Sequence, residues 1–336
     1  MTKNAVLITG AAGEIGQALV RELAAGGTQI VTLDLAAMPP ELAESTTHVT
    51  GSITDKALIE RLGTEYRFDT IYHLAALLST RAEHSPALAH EVNVDASVLL
   101  LELAAAQSAA RGEAVKFIFP SSKAIYGMPD LETKAAHPRV KEDEWLHPDT
   151  VYGANKLAVE LLGAYYSRRY KQLGDAPAAL LDFRALRFPG LISAFTLPTG
   201  GTSDYGPEML HAAAQGKPYA CFVRADTTIA FMAMPDGVKA MLTLAAAPRS
   251  SLSRTAYNVN SFSLSAEEFR QQVLAAFPQA EISFAPDGKR QGIVDSWPMG
   301  IDDSAARADW GWAPEFDLAR CFEEYLVPNI RQRYQG

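Results

Sequence analysis

The 336-residue sequence contains only two cysteines, Cys221 and Cys321, and they lie far apart in the chain. Two distant cysteines provide no disulfide framework, and this usage is typical of proteins from a reducing compartment. We therefore interpret each cysteine as a small hydrophobic core residue. The seven histidines form no short ligand cluster with either cysteine, so no metal site is predicted.

The sequence also lacks an excess of positive charge and any run of 18 apolar residues. Thirty Lys and Arg residues against 39 Asp and Glu residues give a net charge of −9, which argues against nucleic acid or an anionic membrane as the main partner. Without a long apolar run, no membrane span is expected. The opening "MTKNAVLITG" is too short and wrongly flanked for a signal peptide, so we expect a cytoplasmic protein.

What is present is a regular alternation of short β-rich runs and longer helical patterns in the first half of the chain. Such alternation indicates βαβ units and a parallel sheet. The predicted strands are 4–9, 29–34, 69–75, 115–121 and 181–188, and the predicted helices between them are 15–25, 55–63, 86–111 and 152–172. The fold class we predict is α/β, with a doubly wound, Rossmann-type parallel sheet.

After Pro189 the pattern changes to turns rich in Gly, Pro and Thr, with helices near 205–216, 236–246 and 265–276. This change predicts two domains, one at 1–189 that carries the Rossmann-type sheet and a smaller α/β lobe at 190–336, with a soft boundary that the chain can cross again. A proline-punctuated stretch at 127–150 is predicted to be a long loop, and loops of that length often form part of a site.

The stretch "ITGAAGEIG" places Gly10, Gly13 and Gly16 between a strand and a helix. A tight turn of this kind brings bare backbone amides and the positive helix N-terminus up to a phosphate, which side chains at these positions would block. The spacing G-x-x-G-x-x-G is weak evidence alone, because a simple strand-to-helix turn also uses glycine. Asp34, however, ends the second strand 18 residues after Gly16, where an acidic residue binds a ribose diol. The glycine motif and Asp34 together predict dinucleotide binding, and a carboxylate at this position favours NAD over NADP.

"VYGANK" places Tyr152 four residues before Lys156, so on a helix both side chains point into one space. A neighbouring ammonium is expected to lower the pKa of the phenol, making it a proton acceptor for alcohol oxidation. Ser122, just past a strand end in "FPSSKAIYG", is predicted to hydrogen-bond the reacting oxygen. The alternatives are a chance Tyr and Lys pair, and a serine that only caps a turn.

Together with "HLAA" at 73–76, "EVNVDAS" and "RFPG" at 187–190, these motifs resemble the extended short-chain dehydrogenases/reductases along nearly the whole chain. The resemblance implies a catalytic set of Ser122, Tyr152 and Lys156. It implies that NAD is lined by Gly10, Gly13, Glu14, Ile15, Gly16, Asp34, Ser52, Ile53, Leu74, Ala75, Ala76, Asn93, Tyr152, Lys156 and Pro189. Ser52 departs from the family, which often has aspartate beside the adenine.

Three later motifs, "RFPGLIS", "GGTSDY" and "SWPMGIDDSAARADWGW", resemble the short-chain type of L-threonine 3-dehydrogenases within that group. This resemblance implies oxidation of L-threonine, or of a similar small β-hydroxy acid, to the β-keto acid. It implies a substrate site made by Ser79, Ser122, Tyr152, Gly200, Thr202 and Trp297. Simpler interpretations are a turn for "GGTSDYG" and a core position for Trp297.

Two departures leave other functions open. Thr228 stands where these dehydrogenases and the sugar-nucleotide epimerases usually have arginine, and Arg290 is a possible replacement for a phosphate contact. The alternatives are a sugar-nucleotide epimerase or dehydratase with tightly bound NAD, and a dinucleotide-sensing protein without turnover. The resemblance also implies a homodimer through the helices near 86–111 and 152–172.

Overall fold

The computed structural model describes residues 3–175, 177–198 and 200–335 of the chain. The strands are β1 (Lys3–Thr9), β2 (Ile30–Asp34), β3 (Thr47–Thr50), β4 (Tyr66–His73), β5 (Lys116–Ser122), β6 (Arg139–Val140), β7 (Asp182–Phe188), β8 (Gly190–Ile192), β9 (Tyr219–Cys221), β10 (Thr228–Ala233), β11 (Ala256–Asn258), β12 (Phe262–Ser265), β13 (Ile282–Phe284) and β14 (Gly300–Ile301).

The α-helices are α1 (Glu14–Ala25), α2 (Pro40–Ala43), α3 (Lys56–Glu65), α4 (Ser79–His84), α5 (Pro86–His90), α6 (Ala96–Arg111), α7 (Leu131–Ala136), α8 (Val151–Arg168), α9 (Tyr205–Ala214), α10 (Met234–Ala246), α11 (Ala266–Ala276), α12 (Gly288–Ser296), α13 (Ser304–Trp310), α14 (Leu318–Arg320) and α15 (Val327–Gln335). Short π-helical segments join α5 to α6 and α14 to α15. Within the described ranges, none of the helices combines the length and apolar character needed to cross a bilayer.

Seven parallel strands form the central sheet in the order β3-β2-β1-β4-β5-β7-β11. The strand order reverses between β1 and β4, so a crevice opens beyond the carboxyl ends of these two strands. The predicted α/β fold class is confirmed, and all five predicted strands belong to this sheet. The sequence analysis missed β3 and β11, which are edge strands of four and three residues and too short for a clear hydrophobic period.

Alternating residues of β1 face two different cores, because successive side chains in a strand point to opposite faces of the sheet. Val6 and Ile8 pack in one core with helices α1 and α10, whereas Ala5 and Leu7 pack in the other with α3, α6 and α8. The predicted helices at 86–111 and 152–172 correspond to the run from α5 to α6 and to α8, which ends at Arg168. Helices therefore cover both faces of the sheet.

The part of the chain after residue 190 forms a three-stranded sheet, β12-β10-β8, and a pair, β13-β9. The predicted helices of this part are present as α9, α10 and α11. Two of its elements return to the first half, since β11 pairs with β7 in the central sheet and α10 shares a core with α1. The predicted division into domains at 1–189 and 190–336 stays a prediction.

The stretch at 127–150 has more structure than the predicted long loop. It contains α7 and the two-residue strand β6, which pairs with β14 from the far end of the chain. The backbone amide of Met128 donates a hydrogen bond to the carbonyl of Ser296 at 2.7 Å. Because these anchors tie the stretch to the second half of the chain, it forms one wall of the region around Trp297. It ends at Thr150, whose hydroxyl caps α8 by accepting from the amide of Gly153 at 3.0 Å.

Candidate active site

Two adjoining cavities open at the carboxyl ends of the central strands. The glycine-loop cavity, of about 540 Å³, is lined by Gly10, Gly13, Gly16, Asp34, Ser52, Ile53 and Ala75 among others. The tyrosine cavity, of about 240 Å³, is lined by Ser79, Ser122, Lys123, Tyr152, Lys156, Pro189, Thr202 and Trp297 among others. Glu14, Ile15, Leu74, Ala76 and Leu78 line both cavities. A ligand that spans the two cavities therefore passes the first turn of α1.

Two of the three glycines make room for backbone rather than side chains. Gly10 has φ of +69°, and a Cβ atom there would lie 2.6 Å from the amide nitrogen of Ala75. A Cβ atom at Gly16 would lie 2.6 Å from Cα of Ala11. The loop therefore packs directly on the end of β4 and on α1. Gly13, the N-cap residue of α1, has no side chain to cover the helix amides, which leaves this N-terminus open toward an anion.

Asp34 holds the glycine loop from the end of β2. One carboxylate oxygen accepts from the amide of Ala12 at 3.0 Å, and the other accepts from the amide of Ala36 at 3.0 Å. Asn93 lines neither cavity. Its side-chain amide accepts from the amide of Leu77 at 2.7 Å and donates to the carbonyl of Leu77 at 3.0 Å, so it supports the chain after β4.

Ser122, Tyr152 and Lys156 all line the tyrosine cavity, and the four-residue spacing of Tyr152 and Lys156 predicts that these two share one space. Ser122 hydrogen-bonds the Tyr152 hydroxyl and also caps the turn after β5 by accepting from the amide of Ala124 at 3.1 Å. Its hydrogen bond to the reacting oxygen stays a prediction. Lys156 is buried, and its Nζ atom donates to the carbonyl of Pro120 at 2.7 Å and lies 5.6 Å from the Tyr152 ring centroid.

The expected lowering of the phenol pKa is wrong for this structure. Burial raises the pKa of Tyr152 to about 12, and the Ser122 hydrogen bond opposes that rise only in part. Burial also lowers the pKa of Lys156 to about 7, against the opposing charge of Glu160. Removal of both groups from water disfavours both charged forms, and this effect exceeds the opposing contributions of Ser122 and Glu160.

The predicted substrate residues divide into two groups. Ser79, Thr202 and Trp297 line the tyrosine cavity, and the Thr202 hydroxyl donates to the Ser79 hydroxyl at 3.3 Å. Gly200 lines neither cavity, and its carbonyl accepts from the Thr80 hydroxyl at 2.7 Å. The next residue, Gly201, lines the cavity instead. Sequence position alone did not separate these two glycines, because the side chains that hold them, Thr80 and Arg290, lie far away in the chain.

Arg290 does not line either cavity, although the sequence suggested a phosphate contact. Its guanidinium lies 3.2 Å from the Phe222 ring centroid and donates to the carbonyl of Gly201 at 2.9 Å. It therefore holds the loop that carries Thr202. Thr228 also lies outside the cavities, with its hydroxyl bonded to the carbonyl of Asp226 at 3.1 Å.

The sequence analysis missed Lys123, which lines the tyrosine cavity beside Ser122. A cationic residue directly after a serine at the carboxyl end of a strand was the available signal. It also missed Asp204 in the same lining. No group of His, Cys, Asp and Glu side chains in the described part of the chain is arranged to hold a metal ion.

A sequence profile of the NAD dependent epimerase/dehydratase family matches residues 6–260. The chain belongs to this family. It is 33% identical over 315 residues to the mitochondrial L-threonine 3-dehydrogenase of Bos taurus, covering 93% of this chain and 79% of that protein. The membership confirms the predicted relation to the extended short-chain dehydrogenases/reductases, and the protein is an NAD-dependent oxidoreductase of that group.

Two solved structures extend the likeness to the whole fold. The L-threonine dehydrogenase of Clostridium difficile has a TM-score of 0.87 and 30% identity, with 100% of both chains covered. A monomeric L-threonine 3-dehydrogenase from a metagenome has a TM-score of 0.85 and 34% identity, with 98% of this chain and 99% of that chain covered.

The residues of this family member fit a dinucleotide. The glycine-loop cavity offers the open N-terminus of α1 for a diphosphate, and Asp34 lies at its rim to accept hydrogen bonds from a ribose diol. A Cβ atom at Gly10 or Gly16 would meet the backbone of Ala75 or Ala11, so the loop keeps its position beside this cavity only with glycine at both sites.

Replacement of Gly16 by alanine is expected to weaken NAD binding by about tenfold or more and to destabilise the protein by about 1–3 kcal/mol. The added Cβ atom would meet backbone atoms of Ala11 and Gly10, which cannot move without displacing the loop. Calorimetric titration with NAD and urea unfolding measure the two effects.

The control is Gly292→Ala, which lies in α12 and whose Cβ atom would meet nothing within 4 Å. This variant should bind NAD as the parent does. A Gly16→Ala protein that bound NAD with parental affinity would contradict the assignment of the glycine loop to the diphosphate.

Proposed function

We propose that this protein oxidises the secondary alcohol of L-threonine with NAD, giving 2-amino-3-ketobutyrate. The main observation in its support is the small size of the tyrosine cavity, about 240 Å³, next to the larger glycine-loop cavity. Cavities that hold drug-sized ligands measure about 300–1,000 Å³, so this one suits a compact substrate. The names of its relatives, which are L-threonine dehydrogenases, support the same substrate.

The charges around the tyrosine cavity support the proposal over a sugar-nucleotide substrate. Its charged lining residues, within the described chain, are Glu14, Lys123, Lys156 and Asp204. Arginine, the residue best suited to bidentate contacts with phosphate, is absent from this lining, and its two lysines are matched by two carboxylates rather than left in excess for a diphosphate. A zwitterionic amino acid, by contrast, has an ammonium group to match a lining carboxylate and a carboxylate to match a lining lysine.

In the proposed reaction, the chain's own residues hold the substrate hydroxyl and accept its proton. Ser122 and Tyr152 hydrogen-bond each other, so an alcohol oxygen entering between them finds both a donor and an acceptor. The Tyr152 oxygen takes the hydroxyl proton as general base. The Lys156 ammonium stabilises the phenolate, and bound NAD supplies the acceptor for the hydride from the carbinol carbon. Trp297 is buried in the lining of the tyrosine cavity, where its ring limits the access of water.

The proposal predicts NADH formation, measured by absorbance, when L-threonine is added to the enzyme and NAD, and little with the other members of a panel of small hydroxy acids. A sugar-nucleotide epimerase would interconvert UDP-sugars without net NADH. A sensing protein would bind NAD and form no product with any substrate. Absence of NADH with every hydroxy acid, together with UDP-sugar turnover, would contradict the proposal.

The oligomeric state and the location in the cell stay predictions. A homodimer through α5, α6 and α8 is supported by the exposed apolar side chains of Leu88 and Leu161 on these helices. One similar protein is nevertheless described as monomeric. The cytoplasmic location also stays a prediction, since the Bos taurus relative is mitochondrial.

A further inference from the structure

Lys123 is a buried cation in the wall of the tyrosine cavity. It follows Ser122 at the end of β5 and begins the short 3₁₀ turn Lys123–Ile125. Only 2% of the residue is exposed. Its Nζ atom lies 5.0 Å from the ring centroid of Trp297 and 5.6 Å from that of Phe231. The side chain is therefore enclosed by aromatic rings, one of which also lines the cavity.

The ammonium group of Lys123 has few partners. Within the described chain it donates one hydrogen bond, to the carbonyl of Ala230 at 3.2 Å, although an ammonium has three donors. Burial lowers the pKa of Lys123 well below its usual value, and the Lys134 ammonium adds to that effect. A buried charge without an opposite charge is costly, so the site is electrostatically incomplete.

The other buried cations of the described chain differ from Lys123 in this respect. Arg184 pairs with Asp182 at 2.6 Å, and Arg187 pairs with Glu160 at 2.6 Å. Lys156 is stabilised by the charge of Glu160, and Lys134 by that of Asp295. Of the two lysines that line the tyrosine cavity, Lys156 therefore has an opposite charge nearby and Lys123 has none among the described residues.

We infer that Lys123 is a specificity-determining residue whose ammonium group binds the carboxylate of the substrate. The inference rests on the proposed function, which puts the substrate hydroxyl at Ser122 and Tyr152. Because Lys123 and Ser122 both line the small tyrosine cavity, one compact β-hydroxy acid bound there reaches both residues. The aromatic surroundings exclude water, which strengthens the ion pair. An arriving carboxylate supplies the opposite charge that keeps the lysine protonated.

The test compares Lys123→Met with the parent on L-threonine and on L-threonine amide, which replaces the carboxylate by an uncharged group. Methionine keeps most of the side-chain length but carries no charge. We expect kcat/KM for L-threonine to fall about 10- to 100-fold, mainly through KM, as loss of a charged hydrogen bond implies. The value for the amide should change far less, so the parent's preference for the acid should disappear.

Lys116→Met is the matched control. Lys116 begins the same strand β5, and its Nζ atom likewise donates to a backbone carbonyl, that of Ala245 at 2.8 Å, but it lies outside the cavity. This variant should keep the acid preference. If Lys123→Met folds poorly, Lys123→Gln retains a donor for the Ala230 carbonyl without the charge and should show the same loss of preference.

The experiment separates failure of the role of Lys123 from failure of the proposed function. Equal loss for acid and amide in Lys123→Met, or no loss, would overturn the role of Lys123 while leaving threonine oxidation in place. If the parent itself forms no NADH with L-threonine, the proposed function fails. In that case the role of Lys123 is tested by calorimetric binding of L-threonine and L-threonine amide to the NAD complex. If the parent prefers the acid and Lys123→Met does not, the role is supported. If the parent binds acid and amide equally, the role is overturned.

Discussion

Tyr152→Phe is expected to lower kcat for threonine oxidation by about 10²- to 10⁴-fold, the contribution typical of a general base. The change removes only the phenolic oxygen, which hydrogen-bonds Ser122 in the tyrosine cavity. NAD affinity should be unchanged, because the glycine loop and Asp34 lie in the other cavity. Stopped-flow NADH formation and NAD titration measure the two properties separately.

The pH dependence gives a second measurement of the same residue. Burial raises the pKa of Tyr152 to about 12, so the fraction of phenolate increases as the pH rises above neutrality. The Lys156 ammonium that stabilises the phenolate is lost above its pKa of about 7, so parental activity should rise with pH up to about 7 and level off above it. The residual activity of Tyr152→Phe should lack this rise.

Tyr165→Phe is the control, since Tyr165 lies on the same helix α8 but is 40% exposed and outside both cavities. It should keep parental activity and pH dependence. If Tyr152→Phe retained most of the parental turnover, another group would have to accept the proton and the proposed mechanism would be wrong.

Arg187→Met is expected to reduce the free energy of unfolding by about 3–5 kcal/mol, because it leaves a buried carboxylate without its partner. Arg187 and Glu160 are both about 4% exposed. The guanidinium donates to Glu160 through Nε at 3.0 Å and Nη2 at 2.6 Å, and through Nη1 to the Tyr126 hydroxyl at 2.9 Å and the carbonyl of Glu142 at 2.6 Å. Burial, the largest single effect, lowers the arginine pKa, but the charges and hydrogen bonds of Glu160 and Tyr126 together outweigh it and raise the pKa.

This pair connects three parts of the molecule that shape the tyrosine cavity. Glu160 lies one helical turn after Lys156 on α8, Arg187 lies on β7 two residues before Pro189, and Glu142 belongs to the stretch at 127–150. Loss of the pair should therefore also lower activity by displacing Lys156. Urea unfolding, followed by fluorescence, measures the stability change.

The matched control is Arg320→Met. Arg320 makes a similar double contact with Glu324, through Nε at 3.1 Å and Nη2 at 3.0 Å, but both side chains are largely exposed. Water replaces a lost partner at such a site, so the unfolding midpoint should hardly change. The double variant Arg187→Met, Glu160→Gln should be less destabilised than the sum of the two single variants. Strict additivity would contradict a direct, buried pair.

Local patterns were sufficient to predict much of the site. The glycine spacing together with Asp34 predicted the loop that the structure folds against Ala75, because tight turns impose their own residue types. The Tyr152 and Lys156 spacing predicted a shared cavity, because side chains four residues apart lie on one face of a helix. Asn93 shows where a local motif is ambiguous: it supports the backbone of Leu77 and does not line the cavity.

The sequence by itself predicted five of the seven strands of the central sheet, the glycine loop and the shared helix face of Tyr152 and Lys156, since each follows from interactions between residues near in the chain. Only the tertiary structure decided that β11 returns to the central sheet, that Arg290 supports a loop, and that Lys123 is enclosed without a counter-charge. It also decided that the pKa of Tyr152 rises rather than falls. Burial and charge pairing depend on residues brought together from distant parts of the chain, and no local pattern records which of them will meet.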